Sequence, residues 1–461
     1  MRISLCRLFR EVSVLEAALG TVPVKIGEPD GAVSGIATDS REVGPGDLFV
    51  ALRGRCHNGC DFISEALSRG AVAVLCDTAG EPPRGSYWLF RTTSVEKALF
   101  RLAAARRRKM KAPVIAVSGS TGKTTVKELV ATLLSEVGTV CKSEGNFNST
   151  VGLPLSLLSM EEADYYVLEI GINHVGEMEP MSMLLAPDLA VLTNVGTAHV
   201  GHFGSTEILL REKCNIAAGM TEGGILLLGE GVPREATEGI APRALRIGVD
   251  FHLLEPRQGS FGIVADFTDG ARTVRDLSWP VPGSIGRSLL SFGGAVGTLF
   301  GLDDERIRRG IARAAPAAPR MKMRNVGHFR ILDDTYNASP EAMVAALEAL
   351  YYLGGGKTAA LLGDMGELGD FARPLHEAVG ECAARSGIGD LFLYGELASS
   401  IATGAVRGGM PPERVHRYTV GQEEALADRI RQVLPQGCLL LCKASRSMAL
   451  ERVIRLLGRE E

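Results

Sequence analysis

The stretch that most limits what this chain can fold into is "APVIAVSGSTGKTTVKELVATLLSEVG", residues 112–138. An apolar run from Val114 to Val117 leads into a glycine-rich turn and then into an amphipathic helical pattern. That order predicts a strand, a tight turn and a helix whose free N–H groups and positive dipole end face the turn. Gly119, Gly122, Lys123 and Thr124 follow the phosphate-loop pattern G-x-x-x-x-G-K-[ST], but Val117 stands where its first glycine would be. The strand–turn–helix context favours a nucleotide loop over a plain glycine turn. In such a loop the backbone of Gly119, Ser120, Thr121 and Gly122 cradles phosphates, and Lys123 reaches the outer ones. The Thr124 hydroxyl would bind Mg²⁺, with Thr125 as a second candidate.

Further strand candidates follow in "YYVLEIG", "LAVLTNVG" and "GILLLG", with helical stretches between them. This alternation is that of a doubly wound, mainly parallel sheet. "FGIVADFTDGARTVRDLSWPVPG" then reads as a β-hairpin region. Upstream, "DLFVAL", "AVAVL" and "SYWLF" are short strands around the helical "DFISEALSRG", which stops at Gly70. Downstream, the Ala/Pro stretch "AAPAAPR" suits a linker, and strands and helices alternate again to the C-terminus. The expected division of the 461 residues is therefore three α/β domains. A small N-terminal unit spans 1–111, the phosphate-loop domain 112–316, and a Rossmann-like domain 317–461.

Charge and composition exclude several classes of function. Lys+Arg number 50 against Asp+Glu 54, a net charge of −4, which argues against nucleic-acid binding through a basic surface. The one basic run, from Arg106 to Lys111, reads as a solvated helix end or linker. No apolar stretch is long enough for a membrane span. Arg7, Arg10 and Glu11 interrupt the N-terminus, so no secretory signal is expected and a cytoplasmic enzyme is. The 9 cysteines, an odd number, suggest reduced thiols, and Cys56, His57 and Cys60 read as a loop without matching metal ligands.

Acids, imidazoles and amides at strand ends are the remaining candidates. Glu169 closes "YYVLE" and His199 follows "AVLTNVGTA". Ligands of an open parallel sheet gather beyond the carboxyl ends of its strands, so both would converge near Thr124. Asn146 and Asn148 in "SEGNFNSTVG" either hold phosphate oxygens or substrate, or serve the turn itself.

The ordered set "GSTGKTT", "EGNFN", "EIGINHVGEM", "TNVGTAHVGHFGS", "REK", "DDTYNASPEAM", "LLGDMGELG" and "KASRS" resembles the Mur ligase family. "TDSREVGPGDLFVALRG" is similar to its UDP-binding domain, so the resemblance spans nearly the whole chain. It implies a ligase that spends ATP to join D-alanyl-D-alanine to UDP-N-acetylmuramoyl-tripeptide through an acyl phosphate, in peptidoglycan precursor synthesis. It implies two Mg²⁺ ions, one held by Thr124 and Glu169, the second by His199, and Asn148 beside the γ-phosphate. It further implies Asp334 on the ribose, Arg320 on phosphate, and Ser40 and Arg41 in the uridine diphosphate pocket. Asn146, Asn173, His174, Tyr336, Asn337, Lys443 and Arg446 would face the substrates. Lys213, otherwise a plain helix lysine, would be carbamylated and serve as a metal ligand. A monomer is expected.

Three segments depart from the family pattern. Leu289 stands where an adenine-reading Asn is usual, after Ile285 and Gly286 in place of His-Asn. Asn58-Gly59-Cys60 replaces D-G-H, and Asn215 replaces a frequent Glu. These departures keep two alternatives in view: a ligase of the same architecture with another amino-acid substrate, and a nucleotide-binding homologue that has lost catalysis.

Overall fold

A computed structural model of the chain describes residues 1–29, 32–54, 56–77, 80–233, 235–239, 243–317, 321–355 and 357–458. It contains four sheets. The first runs Arg2–Ser4, Gly35–Ala37, Asp47–Val50, Ala73–Cys76, Tyr87–Arg91, Val24–Ile26 across its width. Its four inner strands are parallel and its two edge strands antiparallel. The helix Val95–Lys109 leaves this sheet, capped by the Ser94 side chain, which accepts from the Lys97 N–H.

The second sheet is wholly parallel, ordered Ala244–Arg246, Ile225–Leu228, Leu189–Leu192, Val114–Ser118, Tyr165–Glu169, Val140–Lys142. Val114–Ser118 is buried along its full length, as a central strand covered on both faces must be. The chain enters the sheet at this strand and later places neighbours on each side of it. Its carboxyl end is therefore the switch point at which such sheets bind ligands. Helix Lys123–Leu134 and helix Gly283–Leu299 pack on one face, with Ile115, Val117, Val126, Leu289 and Phe292 in a single apolar cluster.

The expected hairpin is a three-stranded antiparallel sheet, His252–Gly259, Gly262–Thr268 and Thr273–Trp279. The first of these strands escapes a pattern reading. It is mostly exposed, contains Pro256, and carries a register shift between Leu254 and Arg257. The Ala/Pro stretch is also not all linker, since helix Asp304–Ala317 runs into it.

The fourth sheet is ordered Lys322–Val326, Phe329–Asp333, Leu439–Lys443, Thr358–Gly363, Asp390–Tyr394, Val415–Tyr418. Only its first pair is antiparallel. Helix Pro340–Gly354 starts within "NASPE". Ser339 caps it, Pro340 sits at its first position, and left-handed Gly355 ends it.

The basic run differs from its sequence reading. Arg106 is fully buried, and its guanidinium donates to the carbonyls of Met160 (2.7 and 3.1 Å) and Glu161 (3.3 Å). Arg107 donates to the carbonyls of Leu185 and Ala186. These carbonyls lie at the ends of helices Gly152–Ser159 and Met178–Leu185, where cations offset the negative helix terminus. Only Arg108 and Lys109 of the helical part of the run are exposed. No helix among the described residues is long and apolar enough to cross a membrane.

Candidate functional site

Two glycines set the loop after Val114–Ser118. Gly119 has φ 146° and Gly122 φ 78°, a region that side chains disfavour. A Cβ on Gly119 would fall 2.0 Å from Thr193 Oγ1. The loop is braced from the next strand end. Thr193 Oγ1 donates to the Thr121 carbonyl (2.6 Å), and Asn194 Oδ1 accepts from the Thr121 N–H (3.0 Å). Ser120 Oγ accepts from the Gly196 N–H (2.8 Å). Thr193 and Asn194 were not singled out from the sequence, although "LTNVG" placed them at a strand's carboxyl end.

Lys123 opens the helix and folds back, donating to the carbonyls of Gly119 (2.9 Å) and Ser120 (3.3 Å). Thr124 Oγ1 donates to Glu169 Oε2 (2.8 Å), and Asn148 Nδ2 donates to Glu169 Oε1 (2.7 Å). Helix, loop and strand end thus meet at one buried carboxylate. Thr125, by contrast, makes no side-chain hydrogen bond among the described residues and does not line the cleft.

Lys213, on helix Thr206–Cys214, is buried, and its ammonium donates to the Gly119 carbonyl at 3.2 Å. Two lysines therefore share one carbonyl. Desolvation, and after it the charge of Lys123, hold the Lys213 amine well below the usual lysine range.

A cleft of about 390 Å³ lies over the loop. Ser120 to Thr124, Asn146 and His199 form one wall; Tyr336, Asn337, Gly366, Glu367, Ser445 and Arg446 form the other. His199 holds φ 66° and its Nδ1 lies against the Glu367 carboxylate. The His199 contact holds Glu367 below the usual carboxylate range. The two walls also touch outside the cleft. Glu341 Oε1 accepts from the Thr197 N–H (2.6 Å) and Oγ1 (2.8 Å), while Glu348 accepts from the Ser284 N–H (2.8 Å) and Arg287 (3.0 Å).

Other sequence candidates sit differently from expectation. Lys443 is buried rather than open to a substrate; it pairs with Asp334 and donates to the Asn337 carbonyl at 2.9 Å. Asp334 Oδ2 is taken by that pair, and Oδ1, also buried, has no hydrogen-bond partner among the described residues. Asn173 and His174 are exposed and lie outside the cleft lining; their N–H groups bind Glu177. Ser40 donates to Glu65 (2.7 Å) and Arg41 pairs with Asp39, both in the first sheet's loops and apart from the cleft. Leu289 is buried in the apolar cluster under the helix Lys123–Leu134, not in the cleft. Arg320 lies outside the described residues.

The donor set around Glu169 is one hydroxyl, one carboxylate and one amide. Mg²⁺ is commonly held by one or two carboxylates together with substrate phosphates, so these residues fit that ion. Among the described residues, no group of three or more His, Cys, Asp or Glu side chains is placed to hold a metal unaided.

Three family models match the chain. The Mur ligase family catalytic domain matches residues 32–118, the Mur ligase middle domain 117–250, and the Mur ligase glutamate ligase domain 319–446. The UDP-N-acetylmuramoyl-tripeptide–D-alanyl-D-alanine ligase of Bacillus subtilis is 32% identical over 430 residues, 92% of this chain and 93% of its own. That of Treponema pallidum is 34% identical, covering 92% of this chain and 94% of its own. Among solved structures, MurF from Acinetobacter baumannii aligns with a TM-score of 0.88 at 26% identity, over 98% of this chain and 99% of its own. MurF ligase from Thermotoga maritima in complex with ADP aligns at 0.79 and 28% identity, over 92% and 96%.

Proposed function

The chain belongs to the Mur ligase family, and from that premise we infer that it is the ATP-dependent ligase joining D-alanyl-D-alanine to UDP-N-acetylmuramoyl-tripeptide. The reaction belongs to peptidoglycan precursor synthesis, and we assign it to the cytoplasm. The observation that carries this reading is the junction of Thr124, Asn148 and Glu169 beside the phosphate loop, under a cleft whose far wall comes from the fourth sheet's loops. Such a cleft can hold a nucleotide against an acceptor and exclude water.

The γ-phosphoryl group of ATP passes to the terminal carboxylate of the tripeptide, leaving ADP and an acyl phosphate. The amine of D-alanyl-D-alanine attacks the acyl carbon, loses a proton, and phosphate departs as the amide forms. Negative charge gathers on phosphate oxygens in both steps. The N–H groups at the helix start, from Gly122 to Thr124, and the Lys123 ammonium face that charge, whereas the Ser120 and Thr121 N–H groups are held by Asn194 and brace the loop; Lys123 exchanges its loop carbonyls for the outer phosphates. Thr124 and Glu169 would hold a Mg²⁺ ion, which when bound offsets phosphate charge. His199 and a carbamylated Lys213 would hold a second.

Carbamylation suits Lys213 chemically. The neutral amine adds CO₂, releases one proton and becomes an anion, and burial beside Lys123 favours the neutral amine. Asp334, oriented by the Lys443 pair, would take the ribose hydroxyls; its Oδ1 is buried and would have to become accessible when the nucleotide binds. Tyr336, Asn337 and Arg446 face the acceptor side of the cleft. Ser40 and Arg41 belong to the uridine diphosphate pocket of the first unit. The first sheet lies within 1–111, the second and third within 112–316 and the fourth within 317–461, which supports our division there, with helix Asp304–Ala317 ending one residue past the second boundary. We take the protein to act as a monomer.

The test is product analysis by mass spectrometry with ATP, Mg²⁺, the UDP-tripeptide and D-alanyl-D-alanine. The expected product is the UDP-pentapeptide with one ADP per amide. ADP without any new amide would overturn the assignment.

A further inference from the structure

Lys127 lies one turn beyond Lys123 on the helix Lys123–Leu134, and its side chain is only 1% exposed. Burying an ammonium is costly unless it is paired and hydrogen-bonded. Lys127 Nζ donates to the carbonyl of Ser143 at 2.6 Å and stands 3.2 Å from the carboxylate of Glu128, its neighbour in sequence. Glu128 is in turn paired with Lys142, so it is shared between two lysines. The short bond to Ser143 is the specific contact.

Ser143 is itself buried and fixed at three points. Its N–H donates to the Val167 carbonyl (2.9 Å), its carbonyl accepts from Lys127, and its hydroxyl oxygen accepts from the Glu169 N–H (3.1 Å). Glu169 is thus held through its backbone by Ser143 and through its carboxylate by Thr124 and Asn148. Thr124 and Lys127 are three residues apart, on one face of one helix. The contacts close a ring: helix to Lys127, to Ser143, to Glu169, to Thr124, and back to the helix. Asn148 hangs from the same loop, five residues after Ser143.

We propose that Lys127 is a positioning residue for Glu169. It ties the start of the 143–148 loop to the phosphate-loop helix, so that the Glu169 carboxylate and the Asn148 amide are set relative to Thr124 before any nucleotide binds. The inference rests on the reading of Thr124 and Glu169 as a Mg²⁺ site. Groups that orient metal ligands without touching the metal typically change its affinity by about 10- to 100-fold when removed.

The test compares full-length wild type with Lys127→Met, which keeps length and loses the donor, and with Ser143→Ala, which keeps the carbonyl and loses the hydroxyl. Three quantities are read. They are the free Mg²⁺ giving half-maximal rate, the calorimetric affinity for ADP with and without Mg²⁺, and the KM for the UDP-tripeptide. Lys127→Met should raise half-saturating Mg²⁺ by about 10-fold or more. It should weaken ADP binding only when Mg²⁺ is present and leave the UDP-tripeptide KM unchanged. Ser143→Ala should shift the same two quantities in the same direction, and the double variant should be no worse than Lys127→Met alone. Unchanged Mg²⁺ dependence in Ser143→Ala would overturn the inference, even if Lys127→Met fails to fold. So would a Lys127→Met protein that loses thermal stability and kcat with no shift in either Mg²⁺ readout. If the wild type itself shows no Mg²⁺-dependent turnover, the underlying reading falls and takes this inference with it.

Discussion

Lys213 donates to the carbonyl that Lys123 also uses, and it does so from a buried position. An ammonium on Lys213 would repel that of Lys123 on the same carbonyl, and burial removes the water that would screen the two. The proposed carbamate would resolve this conflict by reversing the charge. Lys213→Ala should therefore lower the rate by about 10²–10³-fold, the scale of losing one charge-stabilising group. Acetate or propionate should restore part of it, measured as phosphate release. Full activity without additive would remove Lys213 from the mechanism, and inactivity without rescue would remove the carbamate. The sequence already placed Lys213 on a helix near the loop, but not the shared carbonyl. A contact between residues 94 apart depends on how the helix Thr206–Cys214 docks under the sheet, and no local pattern encodes that. Lys443 shows the same limit from the other side. Its motif "KASRS" suggested a substrate contact, whereas the strand Leu439–Lys443 turns it inward onto Asp334.

Among elements, the strand–loop–helix unit is the most demanding. Gly119→Ala adds a methyl where Thr193 Oγ1 already stands at 2.0 Å, in a backbone region that Ala resists. Displacing the loop by about 1 Å should cost about a hundredfold in ATP turnover, while affinity for the UDP-linked substrate is retained. Retained turnover would show that the brace from Thr193 and Asn194 is dispensable. The helix Val95–Lys109 makes a separate prediction. Arg106→Met leaves the carbonyls of Met160 and Glu161 without their charged donor. The expected loss is about 2–3 kcal/mol of stability, seen as a lower midpoint in urea at unchanged KM for ATP. This helix end was read as solvated because four of its last residues are basic. Sequence periodicity does not distinguish an arginine facing water from one facing two helix termini. The inner strands of the phosphate-loop sheet were legible because full burial makes them continuous apolar runs; its edge strands Val140–Lys142 and Ala244–Arg246, only partly buried, were not. His252–Gly259 was not, because an exposed, bulged edge strand carries no such run.

At the scale of the whole molecule, the second and fourth sheets meet through a few close contacts. A Cβ on Gly201 would lie 2.5 Å from the Gly369 backbone nitrogen, and the Gly201 N–H donates to the Glu367 carbonyl at 3.2 Å. Glu341 and Glu348 add two polar anchors along one helix. Gly201→Ala should therefore hold the two walls of the cleft apart. The expected result is a fall in kcat of about 10²-fold, as for misplaced reacting groups, with ADP binding to the phosphate loop nearly intact. Equal loss of both would show that Gly201 supports the loop rather than the junction. The three-part organisation was legible from alternation alone. The junction was not, since no local pattern relates Gly201 to Gly369.

The cleft, as proposed, couples ATP cleavage to amide formation. The direct measurement is phosphate released from ATP by the purified full-length chain with Mg²⁺, with UDP-N-acetylmuramoyl-tripeptide and D-alanyl-D-alanine supplied together, singly or not at all. Sustained release is predicted only when both are present, with one phosphate for each amide formed. Release at the same rate without either acceptor would contradict the claim.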